Sequence, residues 1–176
     1  MASAQDFPSK PVRIVTSESG GGNDLAARLV AQGLTASLGK QVVVENRGGA
    51  GGSIAAELVA KAPPDGHTLL VAGSSFWLAP FLQDKVPYDP VRDFSPITLL
   101  VSVPNVLVVH PSLPVRSVKE LIALAKARPG ELNYASGTTG GSPHLVAELF
   151  KVMAGVNIMR IPYKGTAQAM NDLLGG

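Results

Sequence analysis

The stretch VRIVTSESGGGND, residues 12–24, carries the pattern on which the fold prediction rests. Val12–Thr16 is a short, mostly β-branched run, and three glycines follow at residues 20–22. An apolar stripe at helical spacing comes next: Leu25, Leu29, Val30, Leu34 and Leu38. The pattern predicts a buried strand, a glycine loop and an amphipathic helix that ends at Gly39.

The same unit is repeated along the first half of the chain. Strands are predicted at residues 41–45 and 68–72, with a glycine loop at 46–52 and a helix at 53–62 between them. Strands that are separated by helices of this length imply right-handed crossovers and a parallel sheet. The fold class is therefore predicted to be α/β.

The predicted lobe boundary lies in the middle of the chain. Residues 73–96 hold four prolines and the only tryptophan, and they are predicted to be irregular with a short helix near 77–82. The apolar stretch 97–109 is interpreted as two extended segments at which the chain crosses into a second lobe. This interpretation places lobe 1 at residues 1–100 and lobe 2 at residues 101–176.

The second lobe continues the α/β pattern. Ser117 and Glu120 form a capping box, which predicts a helix start. Ser142 and Pro143 suit the N-cap and first position of another helix. The remaining predicted elements are strands at 132–135 and 158–161, a glycine loop at 136–141 and a final helix at 166–174.

Composition narrows the class of protein. The 176 residues are 45% apolar and 16% charged with a formal charge of +2, which indicates a globular chain. The basic residues form no cluster with aromatic residues, which argues against a nucleic-acid partner. The absence of cysteine excludes disulfides and thiolate-bound zinc. No apolar run reaches the ~18 residues of a membrane span, and no secretory signal is present, although Ala2–Ala4 resembles the stub beside a cleavage site.

Three loops share one construction, in which a strand is followed by glycines and then by a helix start. They are Ser17–Asp24, Asn46–Ser53 and Ser136–His144. A helix start leaves up to four N–H groups without an acceptor and carries the positive end of the helix dipole, so it stabilises an anion. A tight turn alone would explain any one of these loops. In a parallel sheet, however, they gather at the carboxyl ends of the strands, where ligands bind.

The anion is predicted to be a carboxylate. Neither G-x-x-x-x-G-K-[ST] nor a complete G-x-G-x-x-G occurs, which argues against a nucleotide. His67, His110 and His144 lack metal-ligand spacing, no G-x-S-x-G elbow is present, and Ser142 and His144 do not face each other on a helix. No catalytic residue, metal or cofactor is therefore predicted. His144 suits a neutral hydrogen-bonding role or a structural one, and Asp24 suits the dipole of its helix start.

Several longer segments are found in the order typical of one family. They are PSKPVR (8–13), GGGND (20–24), VENRGGAGG (44–52), KAPPDGHTL (61–69), PYDPVRDF (87–94), LNYAS (132–136), HL (144–145), ELF (148–150) and PYKG (162–165). With these segments, which cover nearly the whole chain, the protein resembles the Bug-type solute-binding proteins of tripartite tricarboxylate transporters.

The resemblance implies a two-lobe periplasmic binding protein fold (type II, Venus flytrap) that closes on a small organic carboxylate or dicarboxylate. It also implies a membrane permease as partner and a periplasmic location, with the signal peptide removed. In the family, the loop after the first strand holds one carboxylate and the glycine loop of the second lobe holds the other. The ligand-binding residues are therefore expected to be Ser17, Ser19, Gly20, Gly21, Gly22, Asn23, Asp24, Ser74, Ser75, Gly137, Thr138, Thr139, Gly140, Gly141, Ser142 and His144.

Two features depart from the family's pattern. Glu18 stands in a loop that is usually apolar, so the ligand is expected to carry a cationic or hydroxyl group unless Glu18 is protonated or faces solvent. Family members are also longer, and their chain returns to complete the first lobe. The sequence is therefore expected to be truncated before the return segment, with exposed apolar surface, poor stability and self-association.

Two other functions are compatible with the sequence. A sensor module that reports ligand occupancy to a membrane signalling partner would use the same clamp. An enzyme acting on a phosphorylated substrate would use the glycine loops but would need a nucleophile and a base across the cleft, and the sequence offers no such pair. Binding without turnover is therefore the prediction.

Overall fold

The computed structural model describes residues 7–176, which form two compact units. The first unit ends at Ser102 and the second begins at Val103. Each unit has its own parallel sheet, of three strands in unit 1 and two strands in unit 2. The chain is therefore α/β, as predicted.

The sheet of unit 1 consists of β1 (Val12–Thr16), β2 (Val42–Asn46) and β3 (Thr68–Val71). All pairs are parallel, and the strand order β2-β1-β3 places β1 in the centre. Four of the five side chains of β1, all except Arg13, are almost completely buried, as expected for a central strand that helices cover. The carboxyl ends of the three strands therefore lie at one edge of the sheet.

Three helices follow these strands. They are α1 (Gly22–Leu38), α2 (Ser53–Ala60), which a 3-10 turn at Ala50–Gly52 precedes, and α3 (Ser74–Leu82). The helix α1 ends at Gly39 in the left-handed conformation with φ 65°, as the position of this glycine predicts. The helix α3 begins before the predicted residue 77, because its first turn is built from Ser74 and Ser75.

The prediction of the buried stripe on α1 is partly wrong. Leu25 and Leu29 are 62% and 61% exposed, whereas Ala27 and Ala31 pack against the strands. The reason is steric, since alanine lets the helix axis approach the sheet more closely than leucine does. Val30 and Leu34 complete the contact as half-buried residues, as predicted.

Residues 73–96 are more ordered than the irregular structure that was predicted. Phe76 and Tyr88 stack with ring centroids 5.2 Å apart, and Phe94 packs edge-on against both. The Tyr88 hydroxyl donates to the Phe76 carbonyl at 2.9 Å. The segment of residues 87–94 is thereby fixed to the first turn of α3.

Unit 2 consists of three helices and two strands. They are α4 (Val118–Ala127), β4 (Asn133–Ser136), α5 (Ser142–Ala154), β5 (Met159–Pro162) and α6 (Thr166–Gly175). The Ser117 hydroxyl accepts the Glu120 N–H at 3.2 Å, which confirms the predicted cap of α4. The prediction for α5 was one residue late, because Gly141 rather than Ser142 is its N-cap.

The apolar stretch at residues 97–109 forms no hydrogen-bonded strand. Ile97 and Leu99 are 77% and 82% exposed, and most of the valines that follow are exposed as well. Within the described residues, no helix is both long and apolar enough to cross a bilayer.

Candidate functional site

The loops of unit 1 meet at the carboxyl edge of its sheet. Each of its strands leads into a helix, so the starts of α1, α2 and α3 share this edge. A Cβ atom built on Gly52 would lie 3.7 Å from Ser17 and 3.8 Å from the Ser75 Oγ. A Cβ atom on Gly73 would lie 3.3 Å from the Asn23 Oδ1. The structure thus brings predicted site residues of the loop after β1 and of the start of α3 close to the glycine loop after β2.

The loop after β1 is held by the carboxylate of Asp24. Its Oδ2 accepts the Gly20 N–H at 2.9 Å, and its Oδ1 accepts the Asn46 Nδ2–H at 2.9 Å and lies 3.0 Å from an Arg28 nitrogen. Asp24 is only 4% exposed. Burial raises the pKa of this carboxyl group, but the hydrogen bonds from Gly20, Arg28 and Asn46 outweigh burial and lower the pKa to about 2. Asp24 is therefore ionised and already occupied by groups of the protein.

Asn46 is a functional residue that the sequence analysis did not assign to the site. It is the last residue of β2, and its amide also donates to the Ser17 carbonyl at 3.4 Å. One side chain therefore joins the end of β2 to both ends of the first loop. Its position at the end of a strand, two residues before the glycines that begin at Gly48, is the signal that could have identified it.

The loop after β4 in unit 2 has the same construction. Gly140 has φ 78° and Gly20 has φ 77°, so both turns need the left-handed conformation that glycine adopts readily. The Nδ1 of His144 accepts the Gly140 N–H at 3.1 Å, which is the role that Asp24 has at Gly20. Accepting at Nδ1 requires the neutral tautomer that carries its proton on Nε2.

The protonation state of His144 follows from its surroundings. Burial, and then the positive charge of Arg160, lower the pKa of His144 below its usual value, with a smaller opposite effect from Glu148. Glu148 itself accepts hydrogen bonds from the Tyr134 hydroxyl and from Lys151. His144 is therefore neutral at pH 7 and suited to its acceptor role.

Arg160 is a second functional residue that the sequence analysis missed. From β5 it donates to the Ser136 Oγ at 2.8 Å, the Thr139 Oγ1 at 3.0 Å and the Gly137 carbonyl at 2.9 Å. No local sequence signal marks it, because its partners lie more than 20 residues away along the chain. Its guanidinium group ties the start and the middle of the second loop to the neighbouring strand.

The helices α1 and α5 begin in the same way. Their N-caps are Gly21 and Gly141, and neither carries a side-chain cap. Helix geometry leaves the first-turn N–H groups without an acceptor in the helix. In unit 1 these are the N–H groups of three consecutive residues, Gly22 to Asp24. In unit 2 they belong to Ser142 and His144, because Pro143 between them has no N–H.

Ser142 and His144 do not form a nucleophile and base pair. The Ser142 hydroxyl accepts the Asn105 amide at 2.7 Å, and the His144 Nδ1 is engaged with Gly140. Across residues 7–176, no group of three or more His, Cys, Asp or Glu side chains is placed to hold a metal ion. In each unit a glycine loop therefore leads into a helix start that has no side-chain cap.

A cavity of about 390 Å³ lies at the opposite edge of the unit 1 sheet. Lys10, Arg13, Asp65 and His67 line it. Lys10 is paired with Asp65 at 2.9 Å and Arg13 with Glu45 at 3.2 Å, so both cations already have anionic partners. This cavity is therefore less suitable for an added anion than the glycine loops at the carboxyl edge of the sheet.

Comparison with known proteins relates this chain to a receptor family. Residues 26–176 match the family described as "Tripartite tricarboxylate transporter family receptor". Protein BugT of Bordetella pertussis is 45% identical over 177 residues, which span 99% of this chain and 54% of BugT. The chain thus spans about half the length of the curated relatives it matches.

Two solved structures are similar in fold as well as in sequence. Rpa4515 of R. palustris, a structure with adipate, matches 97% of this chain and 57% of its own at 41% identity, with a TM-score of 0.91. MatC (Rpa3494) of Rhodopseudomonas palustris, with bound malate, matches 97% of this chain and 58% of its own at 32% identity, with a TM-score of 0.84. On the extent of these matches, the chain belongs to the family of tripartite tricarboxylate transporter receptors.

Proposed function

We propose that the protein is a solute-binding receptor that holds a small organic carboxylate at its two glycine loops, residues 17–24 and 137–144. The observation that carries the proposal is that both loops lead into a helix start with a glycine N-cap and no side-chain cap. The first-turn N–H groups and the helix dipole favour a negative charge there. A carboxylate is small enough to approach such backbone donors.

The ligands of similar structures support a dicarboxylate. Adipate accompanies Rpa4515 and malate is bound to MatC. Both molecules carry an acidic group at each end, and this chain has one helix-start loop in each of its two units. The proposal includes the correspondence of these units with the two lobes of a binding protein.

The loop residues would act mainly through their backbone. The side chains of Asp24 and His144 accept hydrogen bonds from Gly20 and Gly140, so their contribution to a ligand would come from their own N–H groups. Hydroxyl groups would come from Ser17 and Ser75, which flank Gly52. The remaining expected ligand residues, Ser19, Ser74, Gly137, Thr138, Thr139 and Gly141, belong to the same loops and helix starts.

The proposal extends to the setting of the whole protein. A periplasmic location and a membrane permease as partner follow from the family, and binding without turnover agrees with the separate partners of Ser142 and His144. Self-association through the exposed apolar stretch 97–109 is also proposed. Sedimentation velocity at rising concentration tests that part, and a single monomer peak throughout would contradict it.

A thermal-shift screen with mono-, di- and tricarboxylates, aromatic acids and amino acids tests the function. A true ligand at about 100 times its Kd adds about 2.7 kcal/mol to the free energy of unfolding. Gly21→Val should abolish the shift, because a side chain would block the start of α1 although the backbone at Gly21 has an ordinary φ of −91°. Gly33→Val, within α1 with open space around it, is the matched control. A well-folded protein that no acid stabilises would contradict the proposal.

A further inference from the structure

Arg160 holds the second loop through hydrogen bonds from the neighbouring strand. It lies on β5, whose residues pair in register with β4, and it faces the strand end from which the loop departs. Its three acceptors, at 2.8, 3.0 and 2.9 Å, belong to Ser136, Thr139 and Gly137. These residues span the strand end and most of the turn, so one planar group holds several points of the loop.

The electrostatics of the two loops differ. In unit 1, the positive charge of Arg28 is balanced by Asp24 at 3.0 Å, and Glu18 adds a negative charge to the loop. In unit 2, the three acceptors of Arg160 are two hydroxyls and a carbonyl, all uncharged, and His144 beside it is neutral. Glu148 is engaged by Lys151 at 2.9 Å. The positive charge of Arg160 is thus not cancelled within its own hydrogen bonds.

We propose that Arg160 is a positioning and specificity-determining residue. It orders the loop of residues 137–141 through three hydrogen bonds, and its charge makes the loop of unit 2 selective for an ionised carboxylate. The inference rests on the proposed function and deepens it. It assigns unequal roles to the two loops. Unit 2 takes the charged end of the ligand, and unit 1 tolerates a polar, uncharged end.

Guanidinium geometry explains why arginine suits this role. Its planar fork keeps several donors in fixed directions, and two of its five N–H groups are left over after these three bonds. A loop that is ordered before binding loses less conformational entropy when a ligand arrives. Lysine could supply the charge but could not make the same set of bonds. The variants Arg160→Lys and Arg160→Gln therefore separate charge from positioning.

Calorimetric titration of the purified full chain tests the charge requirement. The probes are adipate, its monoamide and its diamide, and the variants are Arg160→Gln, Arg160→Lys and the control Arg13→Gln, a strand arginine in an ion pair away from the loops. Arg160→Gln should weaken adipate binding by about 10- to 100-fold. In the unsubstituted protein, the monoamide should bind within a few-fold of adipate and the diamide should be weakened about as much as Arg160→Gln weakens adipate.

The loss of affinity caused by Arg160→Gln and the loss caused by replacing adipate with its diamide should not add. Arg160→Gln should weaken diamide binding much less than adipate binding, because the charge it removes has no partner on the diamide and only the loss of loop order remains. Arg160→Lys should recover part of the adipate affinity, and Arg13→Gln should change nothing. An equal loss for adipate and diamide in Arg160→Gln would overturn the specificity role.

Hydrogen exchange of the ligand-free protein tests the positioning role separately. Both Arg160 variants should speed exchange in residues 137–141 and leave residues 17–24 unchanged, while each variant still melts cooperatively. Unchanged exchange in residues 137–141 would overturn the positioning role. If the unsubstituted protein bound no acid at all, the proposed function and the charge requirement would both fail, and exchange alone would decide whether Arg160 orders the loop.

Discussion

The loop of unit 1 and the loop of unit 2 follow one backbone design but hold it with different chemistry. Thr16, Gly20 and Asp24 correspond to residues 136, 140 and 144, an offset of 120 residues. In each loop a glycine N–H donates to the side chain four residues later, at 2.9 Å in unit 1 and 3.1 Å in unit 2. A carboxylate is the acceptor in unit 1, and a neutral imidazole is the acceptor in unit 2.

This difference shows that a charged and an uncharged side chain can hold the same loop backbone. The carboxylate of Asp24 is a strong acceptor, but its negative charge would repel a carboxylate ligand, and Arg28 compensates for it. The imidazole of His144 is a weaker acceptor without charge. It does not neutralise the positive charge of Arg160 beside the loop. Its hydrogen bond to Gly140, however, depends on pH, because the imidazole can be protonated.

The largest effect is expected from Asp24→Ala. The substitution removes the buried carboxylate that accepts from the Asn46 amide, the Gly20 N–H and Arg28, so the free energy of unfolding should fall by about 3 kcal/mol. His144→Ala removes one neutral hydrogen bond and should cost about 1 kcal/mol. Urea denaturation of both variants measures the difference. Equal losses would show that the Asp24 and His144 side chains stabilise their loops equally, which would contradict the proposed difference between the loops.

A smaller loss is expected from Gly137→Ala. A Cβ atom at this position would lie 3.0 Å from the Thr166 N and 3.2 Å from the Gly165 carbonyl carbon, and backbone atoms cannot easily move aside. Overpacking of this kind should cost about 2 kcal/mol. Gly22→Ala is the control in the other loop, since nothing lies within 4 Å of its Cβ position. A Gly137→Ala variant as stable as Gly22→Ala would mean that α6 does not confine the second loop.

The smallest effect is a pH dependence confined to unit 2. Since the folded pKa of His144 lies below its usual value of 6.5, its hydrogen bond to Gly140 stabilises fully above pH 6.5. The stability is lost as the pH falls from there through the lowered pKa. Burial is the main cause of this lowered pKa and the charge of Arg160 is the second, so protonation places a cation in a partly buried site beside Arg160. Asp24, with a pKa of about 2, stays ionised throughout this window.

His144→Asp is the variant that separates the two loops in this respect. It should remove the pH dependence of urea denaturation between pH 5 and 7, because an aspartate would accept the Gly140 N–H throughout that range. It should also weaken adipate binding, because its charge would offset Arg160. A variant that retained the pH dependence of the unsubstituted protein would show that another group titrates there.

Most elements of the fold could be predicted from local sequence, but the contacts that shape the site could not. Apolar β-branched runs and glycines predicted β1, α1 and the two loops, because such signals act within a few residues. The stripe on α1 was misjudged at Leu25 and Leu29, since side-chain size alone does not show which face a neighbouring sheet will cover. The choice of Ala27 and Ala31 as the buried face depends on how closely β1 approaches.

The missing site residues have the same explanation. Asn46 reaches Asp24 from 22 residues away, and Arg160 reaches Ser136 from 24 residues away. Parallel strand pairing brings each of them to a loop that precedes it in the chain. Asn105 lies 37 residues from its partner Ser142 and comes from a stretch without regular structure. No motif in the sequence marks contacts of this length.

The proposed function requires the helix starts of α1 and α5 to bind an acid through their backbone N–H groups. An amide ¹H–¹⁵N NMR titration of the labelled protein with adipate tests it most directly. The largest shift changes are expected at Gly22, Asn23 and Ser142, with smaller changes at the side of the sheet that Lys10 and His67 line. If adipate bound but shifted only the amide signals around Lys10 and His67, the two loops would not be the binding site, and the proposed function of the loops would be contradicted.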